Sequence, residues 1–316
     1  MTVGPEPSAA LRLAAFSFSV DRVTAEATRA LADASIPSVL IKGPAIAGWL
    51  YAGDESRLYG DTDLLLRESD REGAARALRR LGFEDERAPL DHPRMGSAAG
   101  RAWVRAADGA AVDLHSTLFG IGAAPGAVWA AFSTGALRRR VSGVEVAMPP
   151  YPARLLHVCL HAVQHGGERT AKPMFDLQRA LTTVPEETWR QASQLAERLS
   201  ATEAFAAGLR LLPEGARLAT ALGVGAGGSV QSALRINWVP TAEGYQQLAE
   251  AEGTRAKLAV LARELVPSAA FMRWWTPLAR RGGLGLGAAY LWRWAWLAYR
   301  AVPGFLVWRR ARSGAS

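Results

Sequence analysis

The sequence predicts an α+β protein: a mixed β-sheet with flanking helices, followed by a mainly helical second half. Three observations carry this. Short apolar runs of strand character alternate with Ala- and Leu-rich helical stretches through the first half. Asp108-Gly109, a strong hairpin signal, separates two strand-like segments. Beyond Pro149-Pro150 the strand signals stop and helical patterns take over.

The elements follow in order. Residues 9–35 place Leu13, Phe16, Val20 and Val23 at helical spacing, and Pro37 ends the segment. Ser38–Lys42 reads as a buried strand that stops at the turn Gly43-Pro44. Ala45–Tyr51 is a short helix, residues 57–60 a loop, and Asp61–Leu66 a second strand. Asp70 is placed to cap a helix over Arg71–Leu81, with Gly82 just past its end. Phe83–Glu86 is a strand edge or loop and residues 88–100 are loop. Arg101–Ala106 and Ala110–His115 form the hairpin. Residues 152–212 are helical, 214–230 a Gly-rich connector, and 243–266 another helix. Four regions result: an N-terminal helix (1–35), an α/β domain (36–148), a helical domain (149–266) and a basic Trp/Arg-rich tail (267–316).

Composition excludes several classes. With 49% apolar and 21% charged residues, the 316-residue chain is neither disordered nor fibrous. Its one cysteine, Cys159, allows no internal disulfide and no cysteine-based zinc site, and is expected in the core. The first twenty residues lack a basic start followed by an apolar core, so no secretory leader is expected and a cytoplasmic setting fits. The net charge of +8 is uneven. Residues 251–316 hold eleven Arg and Lys against two acids, a surplus of nine, which leaves the rest of the chain at −1. The basic balance therefore belongs to the C-terminal segment, and no specific nucleic-acid binding is expected.

That segment also holds six of the eleven tryptophans, interleaved with arginine. Its longest uncharged run near the end, Gly282–Trp292, is 11 residues, short of the roughly 20 that a spanning helix needs. Arg293, Trp296 and Arg300 share one helical stripe. The stripe is expected to contact a membrane surface, to contact a partner protein or peptide, or to pack back on the helical domain.

The chemistry centres on Asp61 and Asp63. Residues i and i+2 of a strand share a face, so two carboxylates stand side by side ahead of Leu64-Leu65-Leu66. Such a pair suits a solvated edge or a bound cation, and hard oxygens at this spacing suit Mg²⁺. In Val112-Asp113-Leu114-His115, Asp113 and His115 share the face opposite Val112 and Leu114. If this strand lies beside the Asp61 strand, three carboxylates converge as a two-metal site for in-line displacement at phosphorus requires. Lys42-Gly43 ends the first strand at a helix start, where backbone N–H groups and the lysine charge can receive a phosphate. His157, His161 and His165 recur at i, i+4 and i+8 on one helical face; facing the site or packing against it is favoured over zinc ligation. Gly223-x-Gly225-x-x-Gly228 spells a dinucleotide fingerprint but follows a helical run, so it reads as a connector.

The segment Ile41-Lys42-Gly43, then Arg57, then Gly60-Asp61-Thr-Asp63-Leu-Leu, with the later Val-Asp113-Leu-His115, resembles the minimal nucleotidyltransferases of the polymerase-β superfamily. More narrowly it is similar to the bacterial uncharacterised nucleotidyltransferase family, whose second half resembles His157-x₃-His161-x₃-His165 followed by Asp176-Leu. The resemblance covers roughly residues 30–180. It implies a nucleotidyltransferase-type α/β domain with Asp61, Asp63 and Asp113 as catalytic metal ligands, and Mg²⁺ with Mn²⁺ as the substitute. It implies a nucleoside triphosphate donor, ATP by expectation, bound through Lys42, Gly43, Arg57, Gly60 and Lys172. His115, His161, His165 and Asp176 would line the acceptor cleft. Family members often neighbour genes for modified peptides such as lasso peptides, so the acceptor expected is a small molecule or a peptide. Pro44 stands where the superfamily carries serine, and so lacks both hydroxyl and N–H. A non-catalytic nucleotide- or peptide-binding protein of the same fold stays open on that account, and transfer of the γ-phosphate by the same metals, with the donor bound differently, is a further alternative.

Overall fold

The computed structural model describes residues 9–51, 57–86, 100–166, 171–225, 230–236 and 239–314, with side chains from residue 16 onward. Helix α1 (Ala9–Asp33) leads into strand β1 (Val39–Leu40), helix α2 (Pro44–Leu50) and strand β2 (Thr62–Leu65). A 3₁₀ turn (Glu68–Asp70) precedes α3 (Arg71–Arg80). Strands β3 (Glu84–Asp85), β4 (Arg101–Arg105) and β5 (Ala110–His115) complete a five-stranded sheet in the order β1-β2-β5-β4-β3. Strands β2 and β5 run parallel and the other neighbours antiparallel, the mixed sheet expected. Asp70 does occupy the N-cap position of α3, yet its side chain makes no capping hydrogen bond; it lies inside the 3₁₀ turn in helical conformation, which points the carboxylate away from the first amides. Most of the 88–100 loop lies outside the described residues.

Strand alternation sorts the core. Leu40, Leu64 and Leu66 pack with Leu31 of α1 and Leu78 of α3 on one face of the sheet. Val39, Ile41 and Leu65 pack on the other face against the helical half. All four residues of β2 are buried, which fits a central strand covered on both faces.

Residues 116–148 hold elements that the sequence reading missed: α4 (Pro125–Ser133) and a hairpin of β6 (Leu137–Val141) and β7 (Val144–Met148). Its turn, Ser142-Gly143, has positive φ at both positions (43° and 81°), as a type I′ turn requires.

The helical half comprises α5 (Tyr151–Gln164), α6 (Lys172–Thr183), α7 (Glu186–Arg198), α8 (Thr202–Leu209), α9 (Pro213–Ala221), α10 (Val230–Ile236), α11 (Pro240–Glu250), α12 (Gly253–Leu265), α13 (Ala269–Trp275) and α14 (Gly282–Gly314). Proline in the first turn starts α5, α6, α9 and α11, where its missing N–H costs nothing. Two expectations need correction. The connector over 214–230 begins inside α9, and the helix over 243–266 is two helices, broken before Gly253 at φ 76°. Cys159 is in the core, as expected.

Residues 267–316 are mostly helix: α13, a 3₁₀ turn (Pro277–Arg280) and the 33-residue α14. Helix α14 packs on α11 so closely that a Cβ at Gly304 would lie 2.0 Å from Thr241 Oγ1. Among the described residues, no helix is long and apolar enough to cross a membrane.

Candidate active site

Asp63 lies on the face of β2 that looks toward the helical half, two residues before Leu65. The parallel register sets Asp63 directly opposite Asp113 of β5. Asp63 is fully buried. Its Oδ1 accepts a hydrogen bond from Lys42 Nζ at 2.6 Å and lies 3.0 Å from His115 Nε2. Its Oδ2 is buried with no hydrogen-bond partner among the described residues. Asp63, Asp113 and His115 each offer an atom within 4.8 Å of the others, the spacing of a metal-holding group.

The charges are arranged unevenly. Burial alone would raise the Asp63 pKa, but the Lys42 ammonium and the His115 contact overcome it and hold the carboxyl well below the usual range. Burial raises Asp61 and Asp113, and the Asp63 charge raises both further. Burial opposes the charge on Lys42, and Asp63 more than restores it, with Asp61 and Asp113 adding to the effect. Asp61 sits in the bend just before β2, outside the group of three but coupled to it through these charges.

Lys42 follows β1 and precedes Gly43, whose backbone (φ 57°, ψ −122°) suits glycine. Two of the amides at this helix start are taken up by the turn. Ala45 and Ile46 donate to the carbonyls of Lys42 and Gly43, and Pro44 has no N–H, so these amides close on the turn itself. Gly60 has no positive φ, and a Cβ there would meet only the Phe16 ring at an ordinary 3.7 Å; it abuts Asp61 without a conformational demand for glycine.

Arg57 and Asp176, expected on the phosphate and in the acceptor cleft, face each other instead. Arg57 Nε and Nη2 donate to Asp176 Oδ1 and Oδ2, both at 2.7 Å, and Tyr51 Oη donates to Oδ1 at 2.8 Å. Arg57 and Asp176 are 9% and 2% exposed, so little of either is left for a ligand. The fork ties the loop before β2 to α6. Lys172 begins that helix one turn before Asp176, and its charge lowers the Asp61 pKa. Beside it opens a cavity of about 630 Å³ lined by Tyr51, Lys172, Phe175, Gln178 and Arg179.

The three histidines of α5 stack along one face, with ring centroids 5.7 Å apart for His157–His161 and 4.6 Å for His161–His165. His157 Nδ1 lies 3.1 Å from the Ile41 carbonyl, a distance at which the neutral ring donates. Burial, then the Lys42 charge, pushes His157 down to about 3. The same causes lower His161 and His165. All three are therefore uncharged at neutral pH. His157 is buried, His161 partly exposed and His165 exposed.

His115, expected in the acceptor cleft, is 5% exposed and sits on Asp63. Gly100, at φ 76°, makes room for it: a Cβ there would come 2.6 Å from the imidazole Cε1. The Asp-x-His spacing on β5 signals that pair, since both residues face the same side. Tyr51 has no comparable signal, because its partner is 125 residues away.

A family model described as uncharacterised nucleotidyltransferase matches residues 8–215, about two thirds of the chain. No curated protein matches. Among solved structures, the solution structure of the antibiotic-resistance factor ANT(2'')-Ia is similar at a TM-score of 0.41 and 15% identity, over 59% of this chain and 96% of that one. The chain belongs to the uncharacterised nucleotidyltransferase family and is a nucleotidyl-transferring enzyme.

Proposed function

We propose that this nucleotidyltransferase moves a nucleoside monophosphate from a nucleoside triphosphate, ATP by expectation, to a small-molecule or modified-peptide acceptor, at a Mg²⁺ centre held by Asp61, Asp63 and Asp113. The supporting observation is Asp63 Oδ2, a carboxylate oxygen buried without a partner among the described residues, on a residue in register with a second carboxylate. Burying such an atom is costly unless something completes it. The donor set fits the ion: hard carboxylate oxygens suit Mg²⁺, and the nearby His115 nitrogen also suits Mn²⁺. When bound, the metal neutralises the triphosphate and activates the acceptor oxygen.

The chain's own residues do the rest. Lys42 balances Asp63, and its side chain, 17% exposed, supplies the positive charge for the phosphates. The Arg57–Asp176 fork holds α6, which carries Lys172 and its charge toward Asp61, a positioning role that replaces the direct contacts expected of that pair. His115 fixes the Asp63 carboxylate. Asp113 or a histidine of the helical half accepts the acceptor's proton as its oxygen attacks the α-phosphorus and pyrophosphate leaves. His161 and His165, neutral and partly open, line the acceptor side.

Calorimetric titration of ATP, GTP, CTP and UTP with Mg²⁺ tests this, on the wild type and on an Asp61→Asn/Asp63→Asn variant. The expected result is Mg²⁺-dependent binding that the variant loses, and transfer of an α-phosphate label in preference to a γ-phosphate label. Binding unaffected by the substitutions sinks the assignment of the carboxylates; transfer of the γ-label alone assigns the chain to phosphate transfer instead.

A further inference from the structure

Helix α14 is inverted relative to an ordinary surface helix. Its inward side carries Arg293, 1% exposed, whose Nε donates to the Glu264 carbonyl at 3.0 Å and whose Nη2 lies 3.2 Å from Glu264 Oε2. Its guanidinium also stacks over Phe271 and Trp275, 5.1 and 5.4 Å from the ring centroids. The outward side is apolar. Leu284, Leu291, Tyr299 and Val302 are 93%, 63%, 77% and 66% exposed, and Trp292 and Leu306 flank them. With Ala288, Ala295 and Ala298 they recur at three- and four-residue spacing and form one stripe. From Leu284 to Leu306 the stripe runs about 33 Å at 1.5 Å per residue. No charged residue lies on it, because the charges of that stretch, Arg293 and Arg300, are on the other side.

Leu258, Leu261 and Leu265 of α12 are exposed as well, but α12 lies on the Arg293 side of α14, away from the stripe. Leu261 and Leu265 also line an apolar groove of about 180 Å³ against Leu297 and Ala301 of α14. Basic residues frame the surface: Arg280 and Arg281 at the start of α14, and Arg309 and Arg310 at its end. Of the two acids in residues 251–316, Glu264 is consumed by Arg293, which leaves Glu252.

We propose that the outward face of α14 binds flat on an anionic lipid bilayer, with the stripe in the headgroup–acyl boundary and the flanking arginines on lipid phosphates. The charge decides among occupants. A second copy of this chain would bring two strongly positive faces together, whereas an anionic surface complements both the arginines and the apolar stripe. Exposed Trp292 and Tyr299 suit the interface, where an apolar ring body and a polar tip are both satisfied. The helix lies on the bilayer and does not cross it.

The test is cosedimentation of the full chain with vesicles of phosphatidylcholine, with and without phosphatidylglycerol, at rising salt. The expected result is binding that needs phosphatidylglycerol and weakens with salt. A Leu291→Glu/Tyr299→Glu variant should lose about tenfold or more in partitioning, since two exposed apolar side chains leave the interface. Both substitutions fall on solvent-facing positions, and an unchanged far-UV circular dichroism spectrum and melting transition verify that the variant is folded. No vesicle binding, or equal binding by wild type and variant, overturns the proposal. So does light scattering that shows a wild-type dimer and a monomeric variant, which would give the face to a second copy. The site carboxylates play no part in this experiment, so it stands or fails separately from the transferase reading.

Discussion

Two regions of the molecule bury charge, and they do so for opposite ends. Around β2 and β5, Asp63 is enclosed by Lys42 and His115 yet keeps one oxygen without a partner among the described residues. Under α14, Arg293 is enclosed by Glu264, Phe271 and Trp275, and its neighbours outside are leucine, tryptophan and tyrosine. The first is an incomplete pairing, arranged to receive something. The second is an internal anchor that fastens a helix whose apolar side is turned outward. Burial of an ionised group thus marks a function only when its hydrogen-bonding capacity is left partly open.

The largest expected effect would break the first half of that contrast. Asp63→Asn should cut nucleotidyl transfer by about a thousandfold or more, equivalent to several kcal/mol of transition-state charge stabilisation. Steady-state transfer of an α-labelled nucleotide measures it, once an acceptor is in hand; Mg²⁺-dependent nucleotide binding measures it beforehand. Next comes the strut. Arg57→Met should lower unfolding stability by about 3–5 kcal/mol, because Asp176 is left buried and unpaired. Adding Asp176→Leu should recover much of that loss in denaturant unfolding while nucleotide affinity stays weak, which separates the fork's stabilising effect from its positioning of Lys172. Arg293→Met tests the other region: a loss of about 3 kcal/mol is expected for the same reason, with Mg²⁺–nucleotide binding untouched.

Acid should act through the histidines. Burial and the Lys42 charge hold the folded His157 pKa at about 3, below its ordinary 6.5. The unfolded chain therefore binds the extra proton first. This contribution is fully present above pH 6.5 and is lost progressively as pH falls toward 3. Thermal unfolding across that window should show a slope that His157→Gln makes shallower; an unchanged slope would remove His157 from the account. Leu284→Gln, at a leucine 93% exposed, should change stability by no more than about 0.5 kcal/mol. In α14 the arginine would then matter to folding more than the leucine.

The sheet and its carboxylates were legible because they follow short-range rules. Period-two alternation set Asp61 and Asp63 on one face, of which the strand keeps Asp63 while Asp61 falls in the bend before it, and the Asp-x-His spacing put Asp113 and His115 on one face of β5. The hairpin of β6 and β7 carried a comparable signal, Ser142-Gly143 between alternating Val141, Val144 and Val146, which the sequence reading passed over. The Arg57–Asp176 fork is different in kind. Its partners lie 119 residues apart, and no periodicity encodes a pair that meets only when the helical half closes on the sheet. Helix α14 was hard to read for a third reason. Periodicity reveals a helix by contrast between its faces, and here the inward face is built of small residues, aromatics and an arginine while the outward face is equally apolar.

The parallel pairing of β2 with β5 has a consequence for how the chain assembles. Asp63 and Asp113 lie 50 residues apart in sequence, and α3, β3 and β4 come between their strands. While the chain emerges from the ribosome, Lys42 and Asp63 can meet across the β1–β2 antiparallel pair before the second carboxylate exists. The lysine is thus the first counter-charge Asp63 encounters, and Asp113 arrives at a strand whose negative charge is already partly balanced. Closing that long loop is slow compared with forming a hairpin, so the site's repulsive pair is made late, on a scaffold able to hold it.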